Sequence, residues 1–289
     1  MILVLVAGAC GGCPWGPSSA PSKQPTASQA AGAAAAAFAP AAQDTVAAMP
    51  HSPLLPGQKI RAIVRIRMLT LQLPAGSLTE SEQLWGYLNE EPLTKPDSAL
   101  GVNGIRIGVG RAEDWPEIAK FLRELTGQQV KLQELLGEPS VPLPINLKQR
   151  QGEQTIFQYR PDRTMSAKDY PPGDNLLLAT TNVNYDDLSS TILTVVPAVR
   201  STQAQPKYVM APSGAYMLTS QQDLFPLSGL ECKLRVPAGS FVLIGPNSHA
   251  QKRFLSPGYH FLMRQREGTD FESVLVLFPQ AVAAAVKEP

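Results

Sequence analysis

The sequence predicts an α+β fold, with a small βαβα unit over residues 58–140 followed by a mainly antiparallel β domain over 141–289. Three observations carry this. Apolar and basic residues alternate along QKIRAIVRIRMLTLQLP. One stretch, AEDWPEIAKFLREL, has clear helical spacing. From PSVPLPINL onward, short apolar runs are separated by turn residues. The chain has 289 residues, enough for a sizeable core. With 44% apolar and only 17% charged residues at a net charge of +1, it lacks the basic surplus of a dedicated nucleic-acid binder or a polybasic membrane-surface protein.

Order is expected to begin near residue 58. Ile60, Ala62, Val64 and Ile66 alternate with Arg61, Arg65 and Arg67, the period of a half-buried strand with one basic face. That face is read as solvated, with anion binding as the sharper alternative. At Met68-Leu69 the phase slips and Leu69, Leu71 and Leu73 take over, so a bulge is expected there. In SLTESEQLWGYLNEE, Thr79 and Glu82 fit a capping box ahead of the Leu84, Trp85 and Leu88 stripe. Asn103-Gly104 signals a turn into a strand at Ile105, Ile107 and Val109. The next helix has Asp114 as its cap, Pro116 in its first turn, an apolar face of Trp115, Ile118, Ala119, Leu122 and Leu125, and Gly127 at its end. A further short helical piece is expected around Val130–Leu136.

Beyond residue 140 the strand candidates are Thr155–Tyr159, Asn175–Val183, Thr191–Val196, Tyr208–Met210, Ala215–Thr219, Cys232–Val236, Phe241–Ile244, Tyr259–Met263 and Phe271–Phe278. No internal repeat is evident. Ahead of the folded part, residues 14–57 contain 14 Ala and 8 Pro with only Lys23 and Asp44 charged, the composition of a disordered linker. The opening MILVLVAGACGGCPWG (residues 1–13 and on) resembles the end of a bacterial lipoprotein signal peptide, with Ala7, Gly8 and Ala9 before Cys10, the expected lipidation site. Cys13 is the second choice. The run lacks a basic n-region and is short for a signal peptide. Cys10 and Cys13 also form a C-x-x-C pair, but no βαβ unit surrounds it. Cys232 is expected to be a buried small hydrophobe.

Catalytic constellations are thin, so no enzyme, no cofactor and no metal site are expected. His51 falls in the linker, and His249 and His260 have neither zincin nor Cys/His spacing. No G-x-S-x-G elbow is present. Gly108-Val-Gly110 opens a helix as a dinucleotide fingerprint would, but Glu113 takes the third glycine's place and would repel a pyrophosphate. Asn182-Val-Asn184-Tyr-Asp186 begins like a calcium loop, yet Asp187 and Leu193 stand where Gly and Glu are needed.

The order of landmarks in the C-terminal part resembles the C-terminal domain of bacterial secretins, the outer-membrane ring pores of type II and III secretion and type IV pili. TILTVVPAVRS gives a strand with Pro197. In CKLRVPAGSFVLIGP, Gly239 matches the first glycine of the family pattern and Val242–Gly245 its apolar run. Pro257-Gly258 matches the turn, and Glu272, Val274–Phe278 and Pro279 match the closing strand. Pro246 departs from the pattern, which has a second glycine there, and the family's double proline segment is reduced to one Pro-Gly. The likeness covers about 95 residues from Thr191 onward. RMLTLQLPAGSLTESEQLWGYLNEE with NGIRIGVG also resembles envelope proteins of planctomycete-type bacteria, which implies no activity.

The secretin resemblance implies a non-enzymatic cell-envelope component in the outer membrane or periplasm of a diderm bacterium. It would be a homo-oligomer held to the membrane by a lipid anchor and a β-barrel, without nucleic acid. Gly239, Gly245, Pro257, Gly258 and Pro279 would then be structural turn residues. The alternative is a monomeric lipid-tethered periplasmic binding or scaffold module. Which of the two holds depends on whether Val274–Phe278 presents a side to lipid.

Overall fold

The computed structural model describes residues 58–91, 99–126, 130–160, 162, 164–183, 189–211 and 214–287. The expectations for Cys10, Cys13, the 14–57 linker, His51, Gly127 and most of the Asn182–Asp187 turn lie outside these residues. In chain order the elements are β1 (Gln58–Pro74), α1 (Glu82–Trp85), β2 (Leu88–Asn89), β3 (Ile105–Gly110), α2 (Trp115–Leu125), β4 (Val130–Gly137) and β5 (Leu143–Arg150). They continue with β6 (Gln154–Tyr159), β7 (Met165–Tyr170), β8 (Gly173–Val183), β9 (Ser190–Met210), β10 (Tyr216–Pro226), β11 (Cys232–Pro237) and β12 (Phe241–Pro246). The last are α3 (Ser248–Lys252), α4 (Pro257–Leu262), β13 (Met263–Arg266) and β14 (Thr269–Lys287). Antiparallel strand dominates and helix is minor. The fold is α+β in this broad sense.

The larger sheet runs β2-β3-β12-β14-β1-β4, with β13 also on β14. It draws strands from both sides of residue 140. β1 and β14, the first and last described strands, pair residue for residue from Gln58↔Lys287 to Pro74↔Phe271. A second sheet runs β10-β9-β8-β5 with β11 beside β9, and β6 and β7 form a separate hairpin.

Two apolar clusters divide the larger sheet between its faces. Val64, Ile66, Met68, Ile107, Val242, Ile244, Leu275 and Leu277 pack toward the second sheet's Leu177, Leu193, Val195, Cys232 and Leu234. Leu69, Leu71, Leu73, Phe241, Leu243, Val274 and Val276 pack against Trp85 of α1 and Trp115, Ile118 and Leu122 of α2. The result is three layers, and β12 and the Val274–Leu277 run of β14 are apolar at successive positions because both of their faces are covered.

The phase slip at Met68-Leu69 has the same origin. β1 runs in unbroken register through that point, without the expected bulge. Val64, Ile66 and Met68 bury one face against the second sheet, and Leu69, Leu71 and Leu73 bury the other against the helices. The run Val274–Leu277 is fully buried between layers, so neither face of it meets lipid.

Several local expectations are corrected. Val130–Leu136 is not helical: it is β4, held by pairing from Val64↔Gly137 to Leu71↔Val130. Tyr259–Met263 is not a strand. Pro257 and Gly258 stand in the first turn of α4, where Ser256 caps the Tyr259 N–H and proline occupies a position that needs no donor. Helix α1 is capped by Ser81 rather than Thr79. Asp114 makes no side-chain cap bond; its carboxylate takes Arg111 Nε at 2.9 Å. The expectation for the β3 strand and for the apolar face of α2 is met.

Thr79 is free of the helix because it serves Glu272. The Glu272 carboxylate, wholly buried in β14, accepts the N–H groups of Gly76 (2.7 Å), Leu78 (2.9 Å) and Thr79 (3.3 Å), the Thr79 hydroxyl, and Gln251 Nε2 (3.0 Å). This ties the turn after β1 to the last strand and to α3. Buried charge is tolerable only when so satisfied. Glu272→Ala leaves these donors without their acceptor and is expected to cost about 3 kcal/mol, read as a lowered midpoint in urea unfolding with an unchanged slope.

Candidate functional site

The feature that stands apart from the packed body is a long ribbon. β9 has 21 residues. Its partner β8 ends with Gly173↔Ser201, and β11 ends with Cys232↔Val195. Beyond Ser201, β9 pairs only with β10, from Ala204↔Gln222 to Met210↔Tyr216, with an irregularity at Asp223. Every residue from Thr202 to Met210 is exposed. Nine residues at strand rise make a projection of roughly 30 Å.

The stem and the tip differ chemically. The stem carries Gln203, Gln205, Ser220, Gln221 and Gln222, and a Lys207–Asp223 ion pair at 2.5 Å. At the tip, three apolar cross-strand pairs stack: Tyr208↔Leu218, Val209↔Met217 and Met210↔Tyr216. Successive pairs point to opposite faces, so the tip is apolar on both. Tyr208 is 74% exposed, Tyr216 73%, Met210 64% and Leu218 61%. Gly214, with φ of +81°, closes the turn through its N–H to the Ala211 carbonyl. A two-stranded ribbon has two open edges and no core of its own, and alone in water it is marginal. The sequence marks Tyr208–Met210 and Ala215–Thr219 as strands. The sign that they form a tip is the change from a Gln-rich stem to aromatic and Met residues around Pro212 to Gly214.

The sequence-predicted landmarks lie in the packed body instead. Gly239 has φ of +79° and turns β11 into β12. Gly245 sits where a side chain would overlap Leu78, and Gly258 where one would overlap the backbone at Gly104. Pro279 pairs with Ile66 just past the last β14 residue opposed by β12, where one neighbour fewer asks for its missing N–H. Pro246 ends β12, and Asn247 then caps α3 through the His249 N–H.

The remaining candidates are accounted for by packing. Gly110 is required by the Phe241 ring, which a Cβ would overlap, and Gly108 by Leu88 Cβ at 2.8 Å; no phosphate cradle is needed to explain either. Arg65 pairs with Glu134 across to β4 at 3.3 Å. Cys232 is a free, buried thiol, pushed up to about 12 by burial and then by Glu231. Among the described residues there is no group of three metal-binding side chains and no helix long and apolar enough to cross a membrane.

The two described histidines are not partners. His249 lies on α3, lowered by partial burial, Arg253 and Lys252. His260, 4% exposed on α4, receives Arg150 Nη2 at Nδ1 (3.2 Å) and is pushed down to about 4 by burial, with Arg150 and Lys148 adding to it and the Thr155 carbonyl opposing.

No protein-family model matches the chain, and no curated protein matches it. Comparison with solved structures returns secretins. The Salmonella type III secretion injectisome secretin InvG is 11% identical over 80% of this chain and 65% of its own, with a TM-score of 0.16. Aeromonas hydrophila ExeD is 12% identical over 80% and 49%, with a TM-score of 0.17. The V. cholerae type IV competence pilus secretin PilQ is 9% identical over 80% and 62%, with a TM-score of 0.19. The chain spans less than two thirds of each of these, and at such TM-scores the likeness carries no argument about this chain.

Because His260 is held neutral below its unfolded value near 6.5, its contribution to stability is present above that pH and lost as pH falls toward about 4. Thermal midpoints across this window are expected to fall for the wild type and to fall less steeply for His260→Gln, which keeps an acceptor toward Arg150 without titrating.

Proposed function

We propose that the chain is a non-enzymatic component of the bacterial cell envelope that works by self-association, as a secretin-like subunit of an outer-membrane secretion or pilus-type pore. The observation that carries this reading is the β9–β10 ribbon: two open edges and an apolar tip on a stem that, among the described residues, no other strand covers. In a ring, neighbouring ribbons lie side by side and satisfy each other's backbone groups, which is how a barrel removes its edges. Fully burying a Leu or Met side chain is worth about 1.5–3 kcal/mol, so several tip residues per subunit supply a driving force against the entropy of association. The ordered proline and glycine landmarks after Thr191 support the same reading. Under it, Val274–Leu277 belongs to the subunit body and the ribbon is the wall. A lipid on Cys10 would hold the subunit at the membrane through the 14–57 tether.

The full chain, extracted from membranes in detergent, is expected to run as a large species and to show rings by electron microscopy. The Tyr208→Ser, Leu218→Ser double variant changes no buried residue. It is expected to keep the wild-type thermal midpoint within about 2 °C and to run as a monomer. A wild-type protein that is monomeric by both size and microscopy overturns the reading.

A further inference from the structure

We propose that the cationic cluster of Lys148, Arg150 and Arg264, where β5 meets α4 and β13, is an anion site that takes a phosphate group. Lys148 and Arg150 are two apart on β5 and so share a face. Arg264 is brought beside them by a reciprocal pair of bonds: Lys148 Nζ donates to the Met263 carbonyl at 2.8 Å, and Arg264 Nη2 donates to the Leu147 carbonyl. Arg264 Nε also donates to Ser273 Oγ at 3.2 Å. Arg150 Nη2 faces His260 Nδ1; guanidinium only donates, so Nδ1 accepts and the imidazole is neutral.

What is missing is negative charge. Among the described residues no Asp or Glu pairs with any of the three. The neighbouring Glu272 is consumed by the turn at residues 76–79 and by Gln251. Other partly buried arginines are matched: Arg106 holds Glu90 at 2.7 Å and Arg200 holds Asp174 at 2.7 Å. Arg150 Nε is a buried donor with no partner, as is Arg200 Nε, but Arg200 has the Asp174 carboxylate on its Nη2 and Arg150 has no carboxylate. Burial first, and then the charges of Arg150 and Arg264, together push Lys148 down to about 8. Gathering three cations with a free buried donor is costly unless an anion enters. A phosphate group, with about −1.5 to −2 charges near neutral pH and several acceptor oxygens, offsets two of the three and accepts from Arg150 Nε and the remaining Lys148 N–H groups.

The test measures thermal unfolding of the full chain at pH 7 with rising inorganic phosphate against chloride at equal ionic strength. A second arm measures flotation with phosphatidic acid or phosphatidylcholine vesicles. Phosphate at about a hundred times its dissociation constant is expected to raise the wild-type midpoint by several degrees, saturably. Lys148→Met and Arg150→Gln are expected to weaken the response at least tenfold, and Lys148→Arg to retain it. Flotation only with phosphatidic acid, lost in Lys148→Met, with no response to inorganic phosphate, assigns the phosphate to a lipid head group and also supports the proposal. Broadening of the phosphate phosphorus resonance by wild-type protein supplies a reading that needs no variant. Equal midpoints in phosphate and chloride with no broadening and no selective flotation overturn the proposal, as does a Lys148→Met response equal to wild type.

Discussion

The pairing of β1 with β14 is the constraint on which the rest depends. Seventeen residues at the start of the described chain meet nineteen at its end in one unbroken antiparallel register. β14 then carries β12 and β13 on its other edge, and β1 carries β4. Everything between residues 75 and 268 is therefore hung from a ladder closed by the two ends. Loop closure on this scale must precede the contacts that reward it, so folding is expected to be slow for the chain's size. Glu272 fixes the seam. Its carboxylate gathers the turn that leaves β1 and one side chain of α3 at the point where β13 joins β14. The far end of the ladder, Gln58–Ile63 with Val282–Lys287, lies beyond the pairs made by β4, β12 and β13.

A sheet covered on both sides explains features that look contradictory along the chain. β12 and the Val274–Leu277 run of β14 are apolar at every position because one set of side chains meets the second sheet and the other meets α1 and α2. β1 alternates because Val64–Met68 is buried on one face only and Leu69–Leu73 on the other only. The prolines within strands follow the same logic: Pro197 and Pro279 each stand where a neighbouring strand has just ended. Glycines at 108, 110, 245 and 258 are places where another side chain or the backbone already fills the space of a Cβ.

Much of the body was legible from pattern alone, since β1, β3, α2, β8 and β11 each have a buried face that leaves a period in the sequence, and β14 shows as a continuous apolar run. The phase slip at Met68-Leu69 was visible, but its cause was not, because a change of covering layer and a bulge shift the pattern identically. β4 reads as helix from the spacing of Leu132, Leu135 and Leu136; its strand state comes from pairing with β1, a tertiary effect that local propensity does not record. Ser256-Pro257-Gly258 is as good a helix start as a turn. The ribbon was harder still, because a strand exposed on both faces has no alternation to betray it. The cationic cluster is invisible in one dimension, with its members on β5 and β13, more than a hundred residues apart.

The packed body buries its own apolar faces, while the ribbon leaves its apolar tip exposed. Its stem satisfies one ladder of hydrogen bonds and leaves two edges open, and its tip exposes six apolar side chains that none of the described residues covers. Amide hydrogen exchange resolves this division most directly, comparing dilute monomer with detergent-extracted, associated protein. Fast exchange at the outward-facing amides of residues 202–210 and 216–222 in the monomer, turning to strong protection on association while β12 and β14 are protected in both, is what the account predicts. A ribbon that exchanges equally in the two states contradicts it.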